Sequence, residues 1–162
     1  MLDPDKKLPS MKSLVSLLAK HNLTLASCES LTGGLFAKSF TEIPGAGSIF
    51  KGGLVVYSPE AKIKLAKVSP LILKKYGVIS EQCAREMAQN TQQLLNTDLS
   101  ISFTGNAGPS AQENKPVGLV FIGLATPKRL ISKSYQFEGS RTEIRKKVVE
   151  AGVRLILDKL NI

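Results

Sequence analysis

Leu23-Thr24-Leu25-Ala26-Ser27-Cys28-Glu29-Ser30-Leu31-Thr32-Gly33-Gly34 is the stretch that decides the fold. Leu23 to Ala26 reads as a short buried strand that ends in Cys28-Glu29-Ser30. Thr32-Gly33-Gly34 then makes a tight turn that opens a helical run from Leu35 to Thr41. A strand, a glycine turn and a helix in immediate succession point to an α/β architecture.

Upstream, Met11, Leu14, Val15 and Leu18 recur at helical spacing, so a first amphipathic helix is expected from about Ser10 to His21. Downstream, Gly53 to Tyr57 reads as a second buried strand, and Ser58-Pro59 starts a helix through Ala61 to Lys67, with Pro59 suited to the first helical position. Ser69-Pro70 opens a short helix that Gly77 stops. Ser80 is the expected N-cap of a longer helix whose core face carries Ala84, Met87, Ala88, Thr91, Leu94 and Leu95. Leu99, Ile101 and Phe103 alternate with Ser100, Ser102 and Thr104 as a strand. Val117 to Ala125 and Lys133 to Phe137 read as two more strands, antiparallel across Pro127-Lys128. Ser140 and Glu143 stand at capping-box spacing before a final helix bearing Ile144, Val148, Ala151 and Leu155. The expected fold is a three-layer α/β/α sandwich around a mixed, largely parallel sheet. It forms a single domain over residues 1–162, of which 1–9 are a flexible N-terminal extension.

Composition sets the bounds. A chain of 162 residues with 43% hydrophobic content buries a substantial core without metals or disulfides. The two cysteines, Cys28 and Cys83, cannot make the framework of a small secreted protein, which points to a reducing cytoplasm. The Met11–Leu18 pattern is interrupted by Lys12, Ser13 and Ser16, so neither a signal peptide nor a membrane span fits. A net charge of +9 invites a nucleic-acid reading, but Lys62, Lys64, Lys67, Lys146, Lys147 and Arg154 are spread over helix faces without interleaved aromatics. A solvated basic surface that favours an anionic small ligand is the simpler expectation, and a DNA-binding module ranks below it.

Three expected strands end on a small or functional polar residue followed by a turn: Ser30, Tyr57 and Thr104, the last before Gly105. Ligands of open α/β sheets bind outside the carboxyl ends of the strands, so these positions are expected to share one cleft. Thr32, Gly33 and Gly34 bring backbone close to a ligand, and amides at the helix start can hold a phosphate or an oxyanion; tight helix–strand packing explains the glycines equally well. The only histidine, His21, falls at the end of the first helix, which leaves a Ser-His-Asp triad poorly supported. Lys62 lies one helical turn beyond the Tyr57 strand end and serves as a base if burial lowers its pKa; from the residues alone, a solvated helix lysine is the simpler reading. Arg141 and Arg145, four apart on the last helix, are phosphate ligands or an exposed pair. Cys28 reads as a buried small hydrophobe, and no paired Cys or His ligands occur at metal-site spacing.

Glu29-Ser30-Leu31-Thr32-Gly33-Gly34, Gly52 to Lys62, Thr104-Gly105-Asn106-Ala107-Gly108-Pro109 and Lys115-Pro116-Val117-Gly118 together resemble the CinA C-terminal domain family, from about Ser10 to the C-terminus. The resemblance implies a nicotinamide-nucleotide amidohydrolase, which converts nicotinamide mononucleotide and water to nicotinate mononucleotide and ammonia, needs no cofactor and forms a homo-oligomer. It makes Ser30 the nucleophile and Lys62 the base, with Tyr57 and Thr104 lining or assisting the site. Amides from Thr32 to Gly34 are then expected at the oxyanion, and Arg141 or Arg145 at the phosphate. The separate N-terminal domain of full-length family members has no counterpart in these residues, so its pyrophosphatase reaction is not expected. The alternative expectation is a noncatalytic or differently specific nucleotide-binding domain. It is motivated by departures from the family pattern: Leu31 replaces a usual Cys, Val56 a frequent Thr, Pro59 a frequent Asn and Asn106 a common aliphatic residue, and the loop after Pro109 lacks a glycine run.

Overall fold

The computed structural model describes residues 10–160. The expected flexible extension over residues 1–9 lies outside them. Five strands form one sheet in the order β2-β1-β3-β4-β5. They are β1 (Leu25–Glu29), β2 (Phe50–Val55), β3 (Leu99–Gly105), β4 (Leu119–Ala125) and β5 (Leu130–Gln136). β1 runs parallel to both β2 and β3, whereas β4 and β5 add to the β3 edge as antiparallel neighbours. The mixed sheet expected from the sequence is therefore present, with its parallel part confined to three strands.

The helices are α1 (Met11–Lys20), α2 (Leu35–Thr41), α3 (Pro59–Lys64), α4 (Pro70–Tyr76), α5 (Glu81–Leu95) and α6 (Arg141–Leu160). The two sheet faces support separate cores. On one, Leu25, Leu99, Ile101, Phe103, Val120, Ile122 and Leu124 pack with Leu14 and Leu18 of α1, Phe36 and Phe40 of α2, and Val148 and Ile156 of α6. On the other, Cys28 and Val56 pack with Ala66, Val68, and Cys83 and Met87 of α5. Alternating faces along β1 and β3 thus address two helical layers, which makes the three-layer sandwich.

Covering both faces explains why β3 has no solvent side. Ser100 and Ser102 alternate with apolar residues yet are fully buried, and the Ser102 hydroxyl donates to the Ala84 carbonyl of α5 at 2.6 Å. Gly123 of β4 permits this close crossing, since a Cβ there would overlap the Ala84 carbonyl oxygen and the Ser102 hydroxyl. The caps follow the sequence: Ser58 accepts from Ala61 N and Ser80 from Cys83 N, and Ser140 and Glu143 exchange both bonds of a capping box. Leu94 corrects the expected face of α5, because it is exposed while Ala84, Met87, Ala88 and Thr91 are buried. β2 stops at Val55, two residues before Tyr57, which sits in the connection to α3.

Candidate active site

Ser30 follows the last residue of β1, and its amide extends the parallel pairing by one bond, to the Phe103 carbonyl at 2.9 Å. This fixes the start of the turn against the central strand, with Ser30 8% exposed. Across the β1–β2 edge, the Ser58 cap and Pro59 set the direction of α3 so that Lys62, alone in that helix, turns inward. Lys62 is 2% exposed and corrects the sequence reading that counted it among solvated helix-face cations. Its Nζ donates to Ser30 Oγ at 2.8 Å and to the Val56 carbonyl at 2.9 Å.

Burial among Cys28, Val56 and Cys83 pushes the Lys62 amine below the usual lysine range; the two thiols and Glu113 oppose that only partly. A neutral amine retains two N–H donors and a lone pair. It can give one N–H to Val56 and accept the hydroxyl proton of Ser30. Burial also pushes the Cys28 thiol up to about 11 and the Cys83 thiol up to about 12, so neither is a thiolate nucleophile near neutral pH. His21 is the C-cap of α1 and exposed.

A cleft of about 80 Å³ opens over Ser30. Leu31, Gly105, Asn106 and Ala107 line it with Ser30, while Tyr57, Arg141 and Gln112 complete its wall. Depth divides these residues: Ser30, Leu31, Asn106 and Ala107 are buried, whereas Tyr57, Gln112 and Arg141 are exposed at the mouth. Arg141 donates to the Gly108 carbonyl and to the Tyr57 hydroxyl oxygen, each at 2.6 Å, which ties the β2–α3 connection, the loop after β3 and α6 together around the opening.

Of the residues expected here, Ser30, Tyr57, Gly105 and Arg141 meet at the cleft, and Lys62 stands behind Ser30. Thr104 does not line it. Its hydroxyl donates to the Val78 carbonyl at 2.6 Å, because Thr104 faces the helical layer that carries the α4–α5 connection. Thr32, Gly33 and Gly34 also lie off the cleft. The start of α2 is already occupied: Glu29, 1% exposed, accepts from the amides of Phe36 (2.9 Å) and Ala37 (3.1 Å), so these donors are spent inside the fold. Gly33 N donates to Ser30 O and Leu35 N to Thr32 O, while the amides of Leu31, Thr32 and Gly34 have no partner among the described residues; of these three residues only Leu31 lines the cleft. Arg145 is likewise committed, donating to the Leu31 and Thr32 carbonyls at 2.9 and 2.8 Å. It braces the turn, and Arg141 alone of the pair reaches the cleft.

Sequence reasoning missed Asn106, Ala107 and Gln112 as cleft residues, and Glu29 as the internal cap of α2. It also missed a clamp on the loop after β3. Glu113 accepts from the amides of Val78 and Ile79 at 2.8 and 3.1 Å, and Lys115 donates to the carbonyls of Tyr76 and Ile79. Burial works against the Glu113 charge, but the two amides and Lys115 outweigh it and hold the carboxyl below its usual range. An acidic residue inside an otherwise apolar or small-residue strand was the available signal for Glu29; nothing local marks Glu113. Among the described residues, no cluster of three or more His, Cys, Asp or Glu side chains is arranged for a metal, and no helix is long and apolar enough to cross a membrane.

A three-layer α/β protein with a buried serine–lysine pair at the carboxyl ends of its parallel strands is the class that fold and site define. The sequence matches the CinA C-terminal domain over residues 8–160, and the chain belongs to that family. It is 45% identical over 132 residues to a CinA-like protein of Fervidobacterium nodosum, covering 81% of this chain and 32% of that protein. It is 46% identical over 133 residues to a putative competence-damage inducible protein of Caldanaerobacter subterraneus, covering 82% and 32%. The chain therefore spans about a third of the length of these relatives. The crystal structure of a CinA superfamily protein from Enterobacter cloacae superposes with a TM-score of 0.91 at 27% identity, covering 99% of this chain and 97% of that one. The superfamily protein from Escherichia coli gives 0.89 at 26% identity, covering 97% and 92%.

Proposed function

We propose that this chain is an amidohydrolase that converts nicotinamide mononucleotide and water to nicotinate mononucleotide and ammonia, with Ser30 as nucleophile and Lys62 as base. The contact of the buried Lys62 amine with the Ser30 hydroxyl at 2.8 Å carries the reading. A lysine whose charged form is disfavoured by burial is the base that a serine needs where no histidine is at hand.

In the first half-reaction, Ser30 Oγ bonds to the carboxamide carbon as its proton passes to Lys62 Nζ. Collapse of the tetrahedral intermediate breaks the C–N bond, Lys62 returns the proton to the leaving nitrogen, and ammonia departs from an acyl-serine ester. Water then attacks the ester with Lys62 again taking the proton, which frees the acid and restores Ser30. The unpartnered Leu31 amide beside the nucleophile suits the developing oxyanion.

Arg141 has N–H groups to spare beyond those given to Gly108 and Tyr57, which supports a phosphate at the rim. The cleft, about 80 Å³, is well below the roughly 300 Å³ at the lower end of whole-ligand sites. It suits the carboxamide end alone, with the ribose and phosphate lying over Tyr57 and Arg141. Its small size also favours the alternative, a nucleotide binder of different specificity or without turnover. Ammonia release from nicotinamide mononucleotide, measured beside calorimetric binding of the same nucleotide, separates the two. Release by wild type and none by Ser30→Ala supports the amidohydrolase; tight binding without release at any pH supports the alternative.

A further inference from the structure

Four buried side-chain polar atoms among the described residues have no hydrogen-bond partner: Thr32 Oγ1, Thr91 Oγ1, Ser100 Oγ and Asn106 Nδ2. Only Asn106 lines the cleft with Ser30. Its side chain is pinned from one end, since Oδ1 accepts from the Gly108 amide at 3.0 Å. That bond also fixes which atom is which: the Gly108 N–H needs an acceptor, so the oxygen faces Gly108 and the amide nitrogen is the free end. With Asn106 only 3% exposed, bulk water has little access to that nitrogen. A rigidly held, unpaired donor in a buried position calls for an acceptor that arrives from outside.

We infer that Asn106 Nδ2 donates to the acyl oxygen of the scissile amide and stabilises the oxyanion that forms when Ser30 attacks. The division of the cleft by depth selects this oxygen over a phosphate. Asn106 is neutral and lies among the buried cleft residues with Ser30, whereas the cation suited to phosphate, Arg141, is exposed at the mouth with Tyr57. A neutral donor held in place before the reaction strengthens its bond as charge develops on oxygen, without reorganising. Asn106 would then be a catalytic residue of this chain, standing where the resemblance leads one to expect an aliphatic side chain. The inference rests on the amidohydrolase reading.

The test is steady-state ammonia release from nicotinamide mononucleotide by wild type, Ser30→Ala, Asn106→Leu and Asn106→Asp, measured on the alkaline plateau where Lys62 is neutral. Asn106→Asp keeps an acceptor for the Gly108 amide but exchanges the donor for a carboxylate whose charge opposes an oxyanion, so wild-type turnover by a folded Asn106→Asp protein is decisive even where Asn106→Leu fails to fold. The expected result is a kcat lowered about 10²- to 10³-fold with KM little changed, the pattern of an interaction made in the transition state. Wild-type kcat in a folded Asn106→Asp protein overturns the inference, as does a rise in KM alone. In either case wild-type turnover, with none by Ser30→Ala, leaves the amidohydrolase reading standing. Absence of turnover by the wild type itself overturns both.

Discussion

Lys62 reaches Ser30 across thirty-two positions of sequence, and its amine sits 2.8 Å from the serine oxygen and 2.9 Å from the Val56 carbonyl, to which it also donates. Both groups arrive there through backbone geometry. Ser30 is carried by the end of β1, and Lys62 by a short helix whose start is fixed by Ser58 and Pro59.

The pH dependence of this pair follows from burial. The folded Lys62 pKa lies below the ordinary lysine value of 10.5, so the rate rises with pH along a limb whose midpoint falls below 10.5. Stability carries the same signature. Between the folded and unfolded pKa values the unfolded chain binds more protons at this position, so the protein gains stability as pH rises through that window and loses it as pH falls. Unfolding of wild type and Lys62→Met across alkaline pH checks the sign: the difference between them shifts in favour of wild type as pH rises. A difference that is flat with pH contradicts it.

The two arginines of α6 separate by what they hold. Arg141→Ala removes the rim cation and raises KM for the nucleotide while the fold is kept, since Arg141 is exposed. Arg145→Ala leaves the Leu31 carbonyl without its partner and the Thr32 carbonyl with the Leu35 amide alone, and destabilises the protein by about 1–3 kcal/mol. Kinetics and chemical denaturation of both variants check this, and an equal rise in KM from both would contradict it.

Glu29→Ala orphans the amides of Phe36 and Ala37 at the start of α2 and costs roughly 1–3 kcal/mol. The loss, read from denaturant melts, is expected to bring a lower kcat as well, because the same carboxylate fastens the helix that follows the Ser30 turn. Wild-type stability in this variant would show that Glu29 does not serve as the cap.

Much of the fold was legible because its signals are local. The Ser58-Pro59 and Ser80 caps, the Ser140/Glu143 box and the Gly77 stop are short-range chemistry, and each appears where the sequence puts it. Leu94 was misassigned because helical periodicity marks a face without fixing its width. The rule that ligands bind at strand ends found Ser30, Tyr57 and Gly105, but it could not tell which way Thr104 points; that depends on the layer above it, where Val78 takes its hydroxyl. The glycine turn suggested free amides, and only the fold reveals that Glu29, inside the preceding strand, consumes those at the start of α2. Arg141 and Arg145 look alike in sequence and part company because one turn of helix separates the cleft mouth from the bracing site.

The interdependence of Ser30 and Lys62 is tested most directly by kcat for ammonia release in Ser30→Ala, Lys62→Met and the double variant. If the hydroxyl and the amine act as one unit, each single change lowers kcat by about 10³-fold or more and the double change costs no more than either alone. A Ser30→Ala enzyme that keeps the wild-type rate, or losses that multiply in the double variant, would contradict the account.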